Sequence, residues 1–106
     1  MTSSDRPTKI SLVYSNPTDP AAFEESYPLQ LELARKLPGL TRLQASKVWP
    51  KEDGSPTPAY RLLDLYFADY AAASAAAKEA GSFVKATLEN ATGGVIIAFA
   101  EVLAEA

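Results

Sequence analysis

The side chain that most suggests chemistry is a glutamine within an apolar helical stripe. Residues at spacings of three and four share one face of a helix. From residue 23 onward that face carries Phe23, Tyr27, Gln30, Ala34 and Leu37. An amide donates and accepts hydrogen bonds, but it cannot take up a proton near neutral pH as histidine does. Gln30 therefore predicts a polar contact at this face and not proton transfer.

Composition excludes several classes of site. The chain has 106 residues, contains no cysteine or histidine, and carries a formal charge of −3. Thiol catalysis, disulfides, imidazole-ligated haem and most zinc sites need the missing residues. Lysine and arginine are scattered without a basic stripe, which disfavours nucleic-acid binding. No acidic cluster is dense enough to hold a metal through oxygen ligands, and no glycine-rich phosphate loop follows the first predicted strand, so we expect no metal, no flavin and no other cofactor.

The length suits a single domain. We expect residues 1–7 to form a flexible N-terminus and residues 8–104 to form the domain. The first residues, MTSSDRPT, lack the hydrophobic segment of a signal peptide, and no apolar run is long enough to span a membrane. These features predict a cytoplasmic protein without a membrane partner.

Four segments rich in β-forming residues predict strands, at Lys9–Ser15, Leu40–Trp49, Tyr60–Phe67 and Val95–Leu103. A helix is expected between the first two, with Asp19 as its cap, Pro28 inside it and Pro38 near its end. Two further helical pieces, with Asp69 and Ser82 as caps, lie between the last two strands. The order β-α-β-β-α-β with right-handed crossovers predicts an α+β, ferredoxin-like sandwich, in which a four-stranded antiparallel sheet carries helices on one face.

Both faces of this sheet are expected to be apolar. In the third strand one face presents Leu63, Leu65 and Phe67, while the other presents Tyr60, Leu62, Asp64 and Tyr66. The fourth strand is apolar on both sides. Because the helices cover one face only, the other face predicts self-association, most simply a two-fold homodimer whose sheets pack face to face.

Four segments resemble the EthD family of dimeric α/β-barrel proteins. They are LVYSNPTDPAAFEESY, LARKLPGL, LDLYFADYAAASAA and NATGGV, and the resemblance spans Lys9 to Leu103. It implies a ferredoxin-like protomer and a barrel formed by two sheets across a dimer. Family members carry a stretch of the form His-x-Pro-Leu-Ala before the Pro-Gly-Leu stop. Alignment on Leu33-Ala34 and on Pro38-Gly39-Leu40 places Gln30 at the histidine position and Glu32 at the proline position.

The resemblance also implies where a ligand binds. In similar folds, among them muconolactone isomerases, polyketide cyclases and cofactor-free quinone-forming monooxygenases, small organic molecules bind between the helices and the sheet of each protomer. The corresponding pocket here would contain Gln30 and Tyr27 on the helix, with Tyr14, Asp64 and Tyr66 on the strands. Tyrosines offer an apolar body with a polar tip, which suits an aromatic or polyketide-like molecule. Asp64, if buried, is the only general base of that set.

Structural roles for the same residues compete with this interpretation. Gln30 can satisfy a backbone group freed by Pro28. The tyrosines can be core or interface aromatics. Asp64 can form an ion pair on a solvent-facing strand, with Arg42, Arg61 or Lys47.

Three functions follow from these alternatives. The first is an EthD-like protein that binds a small hydrophobic or aromatic molecule and acts in oxidative catabolism, as an oxidoreductase or an accessory to one. The second is a cofactor-free cyclase or isomerase of a keto or aromatic substrate, which requires Asp64 inside a cavity. The third is a structural or binding homodimer without catalysis.

Overall fold

The computed structural model describes residues 6–105, so most of the expected flexible N-terminus, residues 1–7, lies outside the described residues. The elements in chain order are β1 (Thr8–Tyr14), α1 (Pro20–Arg35), β2 (Leu40–Lys47), β3 (Arg61–Phe67), α2 (Tyr70–Lys78), α3 (Gly81–Asn90) and β4 (Val95–Glu101). The strands form one antiparallel sheet in the order β2-β3-β1-β4. The predicted α+β ferredoxin-like fold is confirmed.

The strands end where their partners end. β2 stops at Lys47, which is paired with Arg61 at the start of β3. β4 stops at Glu101, which is paired with Thr8 at the start of β1. The predicted strands ran on to Trp49 and Leu103, because propensity continues past the point where the partner strand is available.

Side-chain caps start two of the three helices. Asp19 accepts a hydrogen bond from the Ala22 N–H at 3.2 Å, and Asp69 accepts one from the Ala72 N–H at 2.8 Å. Both caps were predicted. The prediction of Ser82 as the third cap is wrong, because α3 begins at Gly81 with Ala80 at the cap position and no side-chain hydrogen bond there.

Strand alternation divides the sheet into two faces. The side chains that face the helices are the buried ones, and on β1 and β3 they include Leu12, Tyr14, Leu63, Leu65 and Phe67. Directly opposite residues share a face, so the register places Ser11 with Asp64, and Lys9 with Tyr66, on the face that none of the described helices covers. We call this second surface the open face. Within residues 6–105 no helix is long and apolar enough to cross a membrane.

One tight backbone contact joins the loop after β1 to the turn before β4. A Cβ atom on Gly93 would lie 2.0 Å from the carbonyl oxygen of Asn16. The neighbouring Thr92 hydroxyl accepts a hydrogen bond from the Thr18 N–H at 3.0 Å. Only glycine therefore fits at residue 93 without displacing the backbone that leads into α1.

Candidate functional site

Three amide and phenol side chains form a hydrogen-bonded network between the helices and the sheet. Gln30 of α1 is fully buried, with 1% of its surface exposed, and its Nε2 donates to the Tyr14 hydroxyl oxygen of β1. Asn90, at the end of α3, donates from Nδ2 to Gln30 Oε1 at 3.3 Å and to the Phe23 carbonyl oxygen at 3.4 Å. The network thus ties α1 to both β1 and α3.

The partners of Gln30 settle its local role. Pro28 lies inside α1 and has no N–H to donate, so one carbonyl of the preceding turn loses its intrahelical partner. The amide of Gln30 does not turn back to that turn. Its nitrogen contacts Tyr14 and its oxygen contacts Asn90. Gln30 is therefore a link between elements and not a cap for the backbone near Pro28.

Two buried hydroxyl groups beside this network have no hydrogen-bond partner among the described residues. They are the phenol of Tyr27 and the Oγ1 of Thr87, and these residues are 8% and 1% exposed. Thr87 lies close enough to Tyr14 to lower the pKa of that phenol, against the larger raising effect of burial, but its hydroxyl does not meet hydrogen-bond geometry. A buried polar group without a partner costs about 1–3 kcal/mol, so each marks a place where a polar partner would be favourable.

Burial keeps the phenols of this region protonated. It raises the pKa of Tyr14 well above its ordinary value of 10.0, and the hydrogen bond from Gln30 opposes only part of that rise. Burial also raises the pKa of Tyr27, against the opposing effect of the Arg61 cation. Neutral phenols and amides can donate to and accept from a ligand oxygen, but they cannot remove a proton near neutral pH.

An aromatic group closes one side of the network. Phe23 and Tyr27 stack with ring centroids 5.0 Å apart, and Tyr14 meets both rings edge-on.

The Arg61 guanidinium lies 4.5 Å from the centroid of the Tyr60 ring and forms an ion pair with Glu24 of α1. The Tyr60 hydroxyl also donates to that Glu24 carboxylate at 2.6 Å. These contacts hold α1 against the start of β3.

The five predicted site residues do not lie together. Gln30, Tyr27 and Tyr14 meet on the helix side of the sheet, whereas Asp64 and Tyr66 lie on the open face. The physical reason is strand alternation, since the apolar residues of β3 took the side covered by the helices. No single cavity within one protomer can therefore contain all five.

Asp64 has partners other than those expected. It accepts a hydrogen bond from the Ser11 hydroxyl, and Lys9 Nζ lies 3.4 Å from its Oδ1. The expected cations were Arg42, Arg61 and Lys47, but Lys9 is the one on the neighbouring central strand. On the same face the Tyr66 hydroxyl donates to Gln44 at 3.2 Å.

Sequence reasoning missed Thr87 and Asn90. A signal was present, because Phe83, Thr87 and Asn90 follow one another at spacings of four and three on α3. The same pattern, a polar residue in a buried helical stripe, had singled out Gln30. Asn90 also borders a surface groove of about 230 Å³ between α1 and α3, together with Phe23 and Ser26.

No family model matches the chain. The chain is 38% identical over 96 residues to an uncharacterized 11.0 kDa protein in the thcB–thcC intergenic region of Rhodococcus erythropolis. The match covers 88% of this chain and 92% of that protein.

Solved structures resemble the whole fold. An ethyl tert-butyl ether D (EthD) family protein from Bacillus halodurans C-125 superposes with a TM-score of 0.83 at 23% identity, over 92% of this chain and 99% of that one. SnoaB, a cofactor-independent oxygenase from Streptomyces nogalater, gives 0.63 at 16% identity, over 97% and 96%. A dimeric ferredoxin-like protein from Thermobifida fusca YX gives 0.69 at 8% identity, over 96% of each chain.

Proposed function

We propose that this chain is a member of the EthD family, whose fold it shares, and that it binds a small organic molecule between its helices and its sheet, within a homodimer. The binding residues of this proposal are Tyr14, Tyr27, Gln30 and Thr87. The predicted contribution of Tyr66 to the same pocket is not retained, since its ring lies on the open face. The polar contacts come from neutral groups, so the site recognises an oxygen-bearing ligand by hydrogen bonds.

The observation that carries this proposal is the pair of unpartnered hydroxyls, Tyr27 OH and Thr87 Oγ1. Both are buried next to a phenol that is already hydrogen-bonded to Gln30. A carbonyl or hydroxyl oxygen of a ligand would give them the partners that they lack within the protomer. Hydrogen bonds to the ligand would then remove the free-energy cost of leaving these two hydroxyls buried without partners.

The charge state of the site favours binding and orientation over proton transfer. The family's histidine position is occupied by Gln30, and the raised pKa of Tyr14 keeps its phenol neutral. Asp64, which the cyclase or isomerase alternative uses as a base, lies on the other face of the sheet with Ser11 and Lys9. We therefore rank that alternative below ligand binding.

We further propose that the ligand belongs to oxidative catabolism, with this protein acting as a cofactor-independent oxygenase or as an accessory to one. The support is fold-level similarity to SnoaB, a cofactor-independent oxygenase. In such a role the buried network would orient an oxygen atom of the substrate and exclude water. Oxygen consumption on mixing the protein with a substrate that it binds tests the enzymatic form, and binding without oxygen consumption indicates the accessory form.

The open face supports the homodimer. Its residues on β4 are small or apolar, and Ile96 is 66% exposed. The charged groups at its centre are paired within the protomer, since Asp64 contacts both Ser11 and Lys9. A second copy can therefore cover this face without stranding a carboxylate. Light scattering should report about twice the chain mass of 11.3 kDa, and a monomer at micromolar concentration would contradict the assembly.

Removal of the two hydroxyls tests the binding site itself. Tyr27→Phe and Thr87→Val should leave stability unchanged or raise it by up to about 1 kcal/mol, because each deletes a buried group without a partner. The same changes should weaken ligand binding. Thr18→Val is the matched control, since that threonine is exposed. Destabilisation by either core variant with unchanged binding would contradict the proposal.

A further inference from the structure

A separate apolar cleft of about 110 Å³ lies between strands β1, β3 and β4 on one side and the end of α2 and the start of α3 on the other. Its lining contains no ionisable and no hydrogen-bonding side chain. The residues that matter here are Ile10 and Leu12 of β1, Phe83 and Val84 of α3, and Ile97 and Phe99 of β4.

The cleft is open at the edge of the sheet. β4 is an edge strand, and its helix-side residues Ile97 and Phe99 remain 45% and 44% exposed although they point toward the helical layer. Val84 on the opposite wall is 39% exposed. The Tyr70 ring lies 6.1 Å from that of Phe99 at the mouth. Apolar surface is thus available to a molecule that enters from this edge.

The polar network lies beyond the inner wall of the cleft, and its residues do not line the cleft itself. Tyr14 follows Leu12 by two residues on the same face of β1, and Thr87 follows Phe83 by one turn on the same face of α3. Both steps span about 6–7 Å along their elements. The Thr87 hydroxyl, nine-tenths buried and without a partner, therefore lies one step beyond the apolar wall.

We propose that this cleft holds the apolar body of the ligand, and that the ligand is an uncharged molecule of one ring or one short branched chain with a single oxygen. This inference rests on the function proposed above and names its ligand class. The cleft's volume of about 110 Å³ is below the roughly 150 Å³ of an apolar cavity that holds benzene, so one ring is the largest body that it can seat, with part of that ring at the open mouth. An ionised ligand would lose its hydration without gaining a partner, because the lining carries no charge.

The experiment uses three probes that share one ring and differ in charge: 4-methylphenol, 4-methylbenzoate and 4-methylbenzylammonium. Titration calorimetry at neutral pH should show saturable binding of 4-methylphenol to the wild-type protein. The two ions should bind about a hundredfold more weakly, as expected when a charge enters an apolar site. Equal binding of the benzoate would overturn the assignment of a neutral ligand.

Two pairs of variants locate the probe. Ala77 lines the cleft at its rim, whereas Ala75 on the same helix does not. Ala77→Leu should weaken 4-methylphenol binding about tenfold or more by filling the space, while Ala75→Leu should leave it unchanged. Val84→Asp introduces a carboxylate in the cleft wall and should reverse the order of affinity, so that the ammonium probe exceeds the phenol. Lys85→Asp, at the exposed residue next to Val84, should leave the order of affinity unchanged.

The outcomes separate this inference from the proposed function. If 4-methylphenol binds but Ala77→Leu and Val84→Asp bind it like the wild type, the cleft assignment is overturned and the polar site stands. If no probe binds, both are overturned. If the two variants dissociate the assembly in light scattering without changing probe affinity, the occupant of the cleft is a second copy of the chain, and the ligand assignment is overturned.

Discussion

Substitution of Gln30 by leucine tests whether the buried network contributes to stability. The change removes the donor to the Tyr14 hydroxyl and the acceptor for Asn90. Each stranded polar group costs about 1–3 kcal/mol. Asn90 keeps its hydrogen bond to the Phe23 carbonyl, so the free-energy cost at Asn90 lies at the low end of that range. The leucine side chain returns about 0.5–2 kcal/mol by apolar burial. We expect a net loss of about 1–3 kcal/mol.

Urea denaturation at a fixed protomer concentration measures this loss. Glu25→Leu, an exposed change on the same helix, should stay within about 0.5 kcal/mol. A double-mutant cycle with Tyr14→Phe isolates the bond between the two side chains, and the coupling should be about 0.5–1.5 kcal/mol. A neutral or stabilising Gln30→Leu would refute the network, and it would mean that the amide faces a solvated cavity.

Three further predictions concern other parts of the molecule. Gly93→Ala should destabilise the protein by about 1–3 kcal/mol, since its Cβ would meet the Asn16 carbonyl. Thermal unfolding measures this loss, with Gly81→Ala as the control variant. Stability should fall as pH rises above the ordinary tyrosine value of 10.0, because the unfolded chain releases phenol protons that the folded Tyr14 retains. Tyr14→Phe should flatten that decline in alkaline denaturation, and an unchanged slope would contradict the burial argument. The purified protein should show no haem or flavin band in its absorption spectrum, since the chain has no histidine or cysteine ligand for haem and no glycine-rich phosphate loop for flavin after the first strand.

The fold was predictable because local signals agreed along the chain. Alternation in β3, the Asp19 and Asp69 caps and the Pro38 stop all pointed to the same elements. The burial of Gln30 was also predictable, since helical spacing alone placed it on the core face. What spacing could not supply was its partner, because Asn90 is distant in sequence and meets it only through the packing of α1 on α3.

The error in the predicted pocket has a specific cause. Alternation already separated Asp64 and Tyr66 from Leu63, Leu65 and Phe67, but it did not say which group would face the helices. The larger apolar group took that side, which sent Asp64 and Tyr66 to the open face. Tyr14 shares its side of β1 with Ile10 and Leu12, so the same alternation places it on the helix side.

The proposed function requires that a small neutral molecule binds between the helices and the sheet. Titration of isotope-labelled protein with 4-methylphenol, followed by amide and methyl NMR shifts, tests it most directly. We predict saturable shifts that concentrate at Leu12, Tyr27 and Thr87, with little change at Asp64 on the open face. Shifts that fail to saturate, or that concentrate on the open face instead, would contradict the account.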